Sequence, residues 1–147
     1  MASTTTGVFP CYKNQFQVGA AGSSSTMNQI ANCEEYQVSI DNNVEEWTAF
    51  ESEGWVSRLM TGKGVKISVK AKRTVGDTGN DLIANLAFKN EKEAEANFQW
   101  TFPDGTKVAF NNAIISITAL GTGSSTNVGP LEFDVMSNGK PTITPAV

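Results

Sequence analysis

The stretch Ala94-Glu-Ala-Asn-Phe-Gln-Trp-Thr-Phe102 alternates small or apolar side chains with polar ones at every position. Pro103-Asp-Gly105 follows it, and the apolar pattern then resumes over Thr106–Phe110. Alternation with a period of two is typical of a strand that buries one face. Because proline fixes φ and glycine accepts a positive φ, the intervening residues favour a tight turn. This part of the chain therefore predicts an antiparallel β-hairpin.

The same alternation recurs on both sides of this hairpin. Tyr36–Ile40, Val65–Lys72 and Leu131–Val135 each place apolar residues at every second position. Ala113–Leu120 is apolar on both faces, which predicts a central or doubly covered strand.

One segment has a helical pattern instead. Thr78 is a candidate N-cap, with Asp81 at the third helical position, and apolar residues follow with helical spacing from Leu82. The sequence therefore predicts a mainly β fold: a two-sheet β-sandwich or barrel with one short flanking α-helix at about residues 78–89.

The chain has 147 residues, the length of one ordinary domain. Residues 1–33 differ in composition, since they are rich in Ser, Thr, Gly and Asn and carry Lys13 as their only charge. We expect a flexible or partner-ordered N-terminal arm over 1–33 and a single β-sandwich domain over 34–147. No basic or apolar leader begins the sequence, which favours free thiols at Cys11 and Cys33, although one disulfide between them stays an alternative.

Composition limits the chemistry of this chain. It contains no histidine, which removes the commonest general base and metal ligand and excludes Ser-His-Asp and Cys-His catalysis. Thr61-Gly-Lys-Gly64 lacks the Ser/Thr and the helix of a phosphate-binding loop. The net charge of −4 disfavours broad nucleic-acid binding, and no apolar run is long enough for a membrane span. We expect no enzymatic activity, no cofactor, no metal and no membrane partner.

Charges are arranged in blocks. Residues 34–53 contain seven acids and no base, and residues 54–76 contain six bases and no acid. The favoured interpretation is pairing between adjacent strands of one molecule. The alternative is that acidic and basic ends orient neighbouring copies head to tail.

Residues 42–64 combine aromatic and large aliphatic side chains with acids and glycines, and neither period holds throughout. Trp, Phe, Met and Arg are enriched in protein interfaces. We therefore predict a subunit interface made by this stretch and the lysine-rich strand that follows it. Its candidate residues are Glu45, Glu46, Trp47, Phe50, Glu51, Glu53, Trp55, Arg58, Leu59, Met60, Lys63, Lys66, Lys70 and Lys72.

Several stretches together resemble the tail tube (major tail) proteins of long-tailed bacteriophages. They are Glu45-Glu-Trp47, Glu53-Gly-Trp-Val-Ser-Arg-Leu-Met-Thr-Gly-Lys63, Lys72-Arg-Thr-Val-Gly-Asp-Thr-Gly-Asn-Asp81, Phe102-Pro-Asp-Gly-Thr106, Gly121-Thr-Gly-Ser-Ser-Thr-Asn-Val-Gly-Pro-Leu-Glu-Phe-Asp-Val135 and Gly139-Lys-Pro-Thr142. The resemblance covers roughly residues 34–144, and it is their order and spacing that make it specific. Residues 1–33 do not share it.

The resemblance implies a structural virion protein that self-assembles into hexameric rings stacked as the tail tube. It implies that the inner sheets of neighbouring subunits join around a lumen through which DNA is ejected. Further implied partners are a tape-measure protein, a tail terminator and baseplate proteins, and the loop at about 41–64 is implied to connect rings. The implied location is the phage tail, assembled in the cytoplasm of a host bacterium.

Two other functions stay open at this point. One is the tube of a contractile tail or phage-derived bacteriocin. The other is a carbohydrate-binding β-sandwich that uses Trp47, Trp55 and Trp100 as a stacking platform. For the tube, we expect Lys66, Lys70 and Lys72 to meet acids of a neighbour or of residues 34–53, because a basic wall would hold DNA phosphates.

Overall fold

The computed structural model describes residues 7–22 and 26–145. Within these ranges the strands are β1 Gln15–Ala20, β2 Asn28–Gln29, β3 Cys33–Trp47, β4 Ser57–Lys72, β5 Glu95–Thr101, β6 Lys107–Leu120, β7 Pro130–Met136 and β8 Thr142–Thr144. The α-helix, α1, spans Thr78–Asn85, and short 3-10 turns lie at Cys11–Lys13, Phe50–Ser52 and Glu91–Ala94. The mainly β class with a flanking helix is confirmed.

All eight strands belong to one antiparallel sheet. Its order is β2-β1-β5-β6-β7-β4-β3, and β8 pairs with the beginning of β6. The hydrogen bonding is therefore continuous, and two separate sheets of a sandwich are not observed.

The sheet changes direction within β6. Residues 107–114 of β6 pair with β5, whereas residues 114–120 pair with β7. Within the part paired with β5 the register shifts at Asn111–Asn112, and Asn112 adopts a positive φ of 54°. The extra residue moves the buried positions from Val108 and Phe110 to Ala113 and Ile115, so that both halves keep their apolar side chains on the core side.

The core lies between the two ends of this sheet. β1 and β3 are far apart in the strand order, yet the ring centroids of Phe16 and Tyr36 are 5.0 Å apart. Phe16, Val18 and Ile30 are buried in the same cluster as Phe133. β1 lies within the predicted arm and pairs along its whole length with β5, which the composition of 1–33 does not reveal. The division into an arm over 1–33 and a domain over 34–147 stays a prediction. The predicted arm also includes residues 1–6 and 23–25, which lie outside the described ranges.

The helix begins at Thr78, as predicted, but it ends sooner. Its N-cap is Asp77 rather than Thr78, because the Asp77 carboxylate accepts a hydrogen bond from the backbone N–H of Asn80. Asp81, expected to cap the helix, instead forms an ion pair of 2.8 Å with Arg73. The helix ends at Asn85, and Phe88 beyond it is 93% exposed, so no packing would support another turn.

The stretch 72–81, which contributes to the resemblance, forms a packed corner between β4 and α1. Asn80 is fully buried there. Its Oδ1 accepts hydrogen bonds from the Thr74 backbone N–H (3.0 Å) and the Arg73 guanidinium (2.8 Å), and its Nδ2 donates to the Lys72 carbonyl (2.9 Å). A Cβ on the neighbouring Gly79 would lie 2.5 Å from the Gln29 carbonyl oxygen. Asn80 and Gly79 therefore stabilise the corner between β4 and α1, Asn80 through its hydrogen bonds and Gly79 through its lack of a side chain.

Cys11 and Cys33 are both free thiols, as the sequence favoured. Burial, assisted by the nearby Asp77 carboxylate, raises the pKa of Cys33 from 9.0 to about 11. In the described ranges no helix has the length and hydropathy required to span a lipid bilayer.

Candidate subunit interface

The outer half of the β3–β4 hairpin projects from the sheet. Pairing between β4 and β7 stops at Lys66 opposite Met136, whereas β3 and β4 continue together to Trp47 opposite Ser57. Residues 41–47 and 57–64 thus pair only with each other, and we call 41–64 the projecting hairpin. An isolated two-stranded ribbon is at best marginally stable in water, so such a ribbon benefits from a partner.

The expectation of a loop at 41–64 is wrong, and the reason is a bulge. Asn43 pairs with Gly62 and Val44 with Met60, so that Thr61 is an extra residue in β4. The Thr61 hydroxyl donates a hydrogen bond to the Asn43 carbonyl. Because the bulge shifts the alternation of β4 by one position, no single period covers the stretch.

Large apolar side chains of the projecting hairpin are exposed. Phe50 at its tip is fully exposed, and Trp55 is 80% exposed. The other large apolar side chains exposed on the hairpin are Val44, Trp47, Val56, Leu59 and Met60. Single exposed apolar residues are normal in soluble proteins, but a cluster of large ones on a single segment is typical of an interaction site.

Both faces of the ribbon carry apolar groups. Cross-strand partners share a face, which places Val44 with Met60 on one side and Leu59 and Trp47 on the other. Neither face is therefore a purely polar solvent face, and the ribbon is suited to insertion between other protein surfaces.

The tip combines aromatic and acidic groups. A 3-10 turn at Phe50–Ser52 is followed by Glu53 and Gly54, both at positive φ (53° and 90°). Neither Glu51 nor Glu53 forms an ion pair within the described part of the chain. The tip is thus an acidic turn with Phe50 and Trp55 projecting from it.

The acidic and basic blocks of the sequence lie side by side, because β3 pairs with β4. Two ion pairs connect the blocks: Arg58 Nε to Glu46 Oε2 at 2.6 Å, and Lys72 Nζ to Glu34 Oε1 at 3.3 Å. Pairing within one molecule, the favoured interpretation, is therefore observed at these two positions. Both pairs are exposed, so each contributes at most about 1 kcal/mol.

Lys66 and Lys70 lie on the same face of the sheet as Lys72. Lys66 pairs with Asp134 of β7 at 3.6 Å rather than with an acid of 34–53. Lys70 lies in register between Glu35 of β3 and Glu132 of β7, with no ion pair formed in the described chain. The fourteen predicted interface residues therefore fall into two groups, eleven on the projecting hairpin and three, Lys66, Lys70 and Lys72, on this face.

Two free strand edges were not predicted from the sequence. In the described chain, β3 has a strand partner on one side only, and residues 115–120 of β6 pair with β7 but not with β5. Ala113–Leu120 was expected to be central; β6 is central in the strand order, but this half has one open edge. Its mostly apolar sequence predicted a covered strand and did not indicate the open edge.

The stacking platform of three tryptophans is not present. Trp100 packs in an aromatic cluster with Phe16, Tyr36 and Phe102, and its Nε1 donates a hydrogen bond to Asn14. Trp47 and Trp55 lie on the projecting hairpin and contact no other ring. In the ranges that the structure describes, no group of three or more His, Cys, Asp or Glu residues is placed to hold a metal ion.

Comparison with protein-family models and with curated proteins finds no match for this chain. Among solved structures, it is similar to a chain in the tail of an empty gene transfer agent (GTA) particle with C6 symmetry, with a TM-score of 0.72 and 21% identity over 94% of this chain and 100% of that one. A chain from the virion of a native GTA particle gives a TM-score of 0.69 and 20% identity over 94% and 100%. A chain from the sheath-tube complex of an extracellular contractile injection system has a TM-score of 0.61 and 16% identity. That similarity covers 95% of this chain and 93% of the other chain.

This chain has the same fold as these chains of the GTA particle. The similarity covers 94% of this chain and 100% of each of the two GTA chains. Because the identities are 16–21%, the similarity establishes the architecture of the chain.

Proposed function

We propose that this chain is a tail tube protein: a structural, non-enzymatic virion subunit whose copies join into rings that stack as a tube for DNA ejection. The observation that carries the proposal is a four-stranded segment, β3-β4-β7-β6, with both edges open and a projecting apolar hairpin at one end. Unpaired edges are a liability in a free monomer, and closing a sheet into a barrel removes them.

Strand direction permits ring closure. The segment runs antiparallel from β3 through β4 and β7 to the second half of β6. Since four strands alternate in direction, the last strand of one copy is antiparallel to the first strand of the next. Edge-to-edge addition of β6 residues 115–120 to β3 of a neighbour therefore continues the antiparallel pattern around any number of copies, and the C6 symmetry of the similar GTA tail supports six.

Stacking of rings is assigned to the projecting hairpin. Its eleven predicted residues include both exposed tip aromatics, Phe50 and Trp55, which a second ring would cover. Further partners that the tube role carries are a tape-measure protein, a tail terminator and baseplate proteins. The location that follows is the virion tail, with assembly in the cytoplasm of the host bacterium.

A tube of a contractile tail is the second candidate. The similarity to a chain of a contractile sheath-tube complex favours it, with a TM-score of 0.61 against 0.72 for the GTA tail chain. The two candidates share the ring and stack, and a sheath protein that co-sediments with native tubes would distinguish the contractile form.

Negative-stain electron microscopy of the purified chain tests the proposal. We expect rings and tubes above a critical concentration. Phe50→Ser should raise that concentration about 30-fold or more, because re-exposing half of an interfacial Phe of about 150 Å² costs about 2 kcal/mol. Phe88→Ser is the matched control, since Phe88 is also exposed but lies outside the hairpin. A wild-type chain that stays monomeric at every concentration contradicts the proposal, and equal effects of both variants contradict the role of the hairpin.

A further inference from the structure

The connection between β7 and β8 contains an Asn-Gly dipeptide. Of the thirteen asparagines in the sequence, Asn138 alone is followed by glycine. Asparagine is a thermolabile residue, because the amide nitrogen of the next residue can attack its side-chain carbonyl carbon. Glycine at that next position has no Cβ to crowd the five-membered ring that this attack forms. The sequence therefore places one candidate for self-catalysed chemistry at 138–139.

The backbone at this dipeptide is not held by secondary structure. Ser137, just before it, is anchored to β4, since its N–H donates to the Val65 carbonyl (2.9 Å) and its hydroxyl accepts from the Val65 N–H (3.0 Å). Residues 138–140 make no backbone–backbone hydrogen bond within the described ranges. Asn138 and Gly139 are both exposed, and Gly139 has a positive φ of 91°. Neither packing nor a ladder hydrogen bond therefore keeps the Gly139 nitrogen from the Asn138 side chain.

The chemically related pair Asp104-Gly105 is protected by its turn. The Asp104 carboxylate accepts a hydrogen bond of 2.9 Å from the Thr106 backbone N–H, which lowers the pKa of Asp104 and keeps its carboxyl ionised. An ionised carboxylate is a poor target for a nucleophile, and the Gly105 N–H is itself engaged by the Phe102 carbonyl at 3.0 Å. The side chain of Asn138 is uncharged, so the first of these protections is absent there.

The Asn138 side chain connects this segment to the bulge of β6. Its Nδ2 donates a hydrogen bond of 3.2 Å to the Asn112 carbonyl. Asn112 is fixed in turn, because its backbone N–H donates to Asn97 Oδ1 (2.9 Å) and its Oδ1 accepts from the Gly22 N–H (3.1 Å). A carboxylate at position 138 has no hydrogen to donate and would place a negative charge beside a carbonyl oxygen. Conversion of Asn138 to an acid therefore removes this connection.

The strand that follows is weakly held. β8 consists of three exposed residues and pairs only with β6 within the described chain. Segments with few buried contacts and exposed backbone hydrogen bonds open at low free-energy cost. The hydrogen bond from Asn138 to the bulge thus limits how far β8 and its connection move away from the sheet.

We propose that Asn138 is a self-catalysed deamidation site and that its modification loosens β8. The Gly139 nitrogen bonds to Asn138 Cγ, the Cγ–Nδ2 bond breaks, and ammonia leaves with the proton that the Gly139 nitrogen gives up. Water then opens the succinimide ring at either carbonyl, which yields aspartate or isoaspartate. Each event adds one negative charge, and isoaspartate also adds one atom to the main chain. Water is the co-reactant, and no oxidant or reductant is required.

Ageing of the purified wild-type chain in mildly alkaline buffer tests the chemistry. After digestion, mass spectrometry should show an increase of about 1 Da for each event, first at position 138 and as two separable products. Asn127 is the internal control, because it is also exposed in a loop but is followed by valine. An Asn138 that stays intact, or an Asn127 that reacts as fast, overturns the inference.

The effect on β8 is tested with Asn138→Asp, and Asn127→Asp is the matched control with the same change in net charge. Hydrogen exchange is followed in the peptide that spans 138–145, at a protein concentration below assembly. Loss of one hydrogen bond should make the protected amides of β8 exchange about 2- to 10-fold faster in Asn138→Asp than in the control. Equal exchange in the two variants contradicts the coupling between position 138 and β8. Both measurements use unassembled chains, so their outcomes do not depend on the proposed function.

Discussion

Replacing Asn80 with alanine tests whether the corner between β4 and α1 stabilises the fold. Asn80 is fully buried, and its side chain satisfies the backbone N–H of Thr74 and the carbonyl of Lys72. Truncation leaves the Thr74 N–H without that partner, whereas the Lys72 carbonyl still accepts a hydrogen bond of 3.2 Å from the Thr74 hydroxyl. The unsatisfied N–H costs about 1–3 kcal/mol, and the lost hydrogen bond from the Arg73 guanidinium costs about 1.5–3 kcal/mol more. Since some of this cost is recovered where water enters, we expect a loss of about 2–4 kcal/mol in the free energy of unfolding.

The assay is urea unfolding followed by tryptophan fluorescence, at a protein concentration below assembly. With a slope of about 2 kcal/mol/M, the expected loss lowers the midpoint by about 1–2 M without a change of slope. Asn85→Ala is the control, because Asn85 lies on the same helix but is exposed. This substitution should change the free energy of unfolding by less than about 0.5 kcal/mol. If Asn80→Ala behaves like the control, the hydrogen bonds at the corner do not stabilise the fold and the reasoning fails.

Three further outcomes are expected. Gly79→Ala should destabilise the protein by about 1–3 kcal/mol, because its Cβ would lie 2.5 Å from the Gln29 carbonyl oxygen, whereas Gly64→Ala, whose Cβ would make an ordinary contact of 3.9 Å, should change stability little; similar urea midpoints for both would contradict this. At pH 8 a thiol reagent should modify the exposed Cys11 quickly and Cys33 slowly, since burial raises the pKa of Cys33 to about 11; mass spectrometry after partial labelling identifies the site, and equal rates would argue against it. Because the pKa of Cys33 in the folded protein exceeds the ordinary value of 9.0, its contribution to stability is complete below pH 9 and is lost between pH 9 and 11. The urea midpoint of the wild type should therefore fall relative to that of Cys33→Ala in this window. A difference that stays constant with pH would contradict this.

The central hairpin was predictable because its signals are local. The alternation over Ala94–Phe102 and the turn at 103–105 lie next to each other in sequence, and β5 pairs with the beginning of β6 as expected. The sequence separated Thr106–Phe110 from Ala113–Leu120, whereas the structure makes them one strand, because the bulge at Asn111–Asn112 absorbs the break.

The remaining elements depend on contacts that are distant in sequence. β1 is held by β5, whose residues follow it by about eighty positions, and the only local signal is the alternation of Gln15, Phe16, Gln17 and Val18. The N-cap of α1 is Asp77 rather than Thr78 since the Asp77 carboxylate also accepts a hydrogen bond from Ala31, a partner that no local pattern indicates.

The candidate interface was predictable in composition but not in form. Phe50 and Trp55 were predicted to be interface residues from their residue type, and both are exposed in the structure. Their contact with a second subunit stays a prediction. The open edge at 115–120 could not be distinguished from a central strand, because its apolar residues outnumber its two polar ones, Ser116 and Thr118.

β6 has a mechanical consequence. One uninterrupted backbone passes from the β3-β4-β7-β6 segment through the bulge at Asn111–Asn112 to the part of β6 that pairs with β5. A load applied to that segment is therefore transmitted to the rest of the subunit through covalent bonds as well as through side-chain packing. A filament built from such subunits would resist shear within each subunit and would yield first at the contacts between copies.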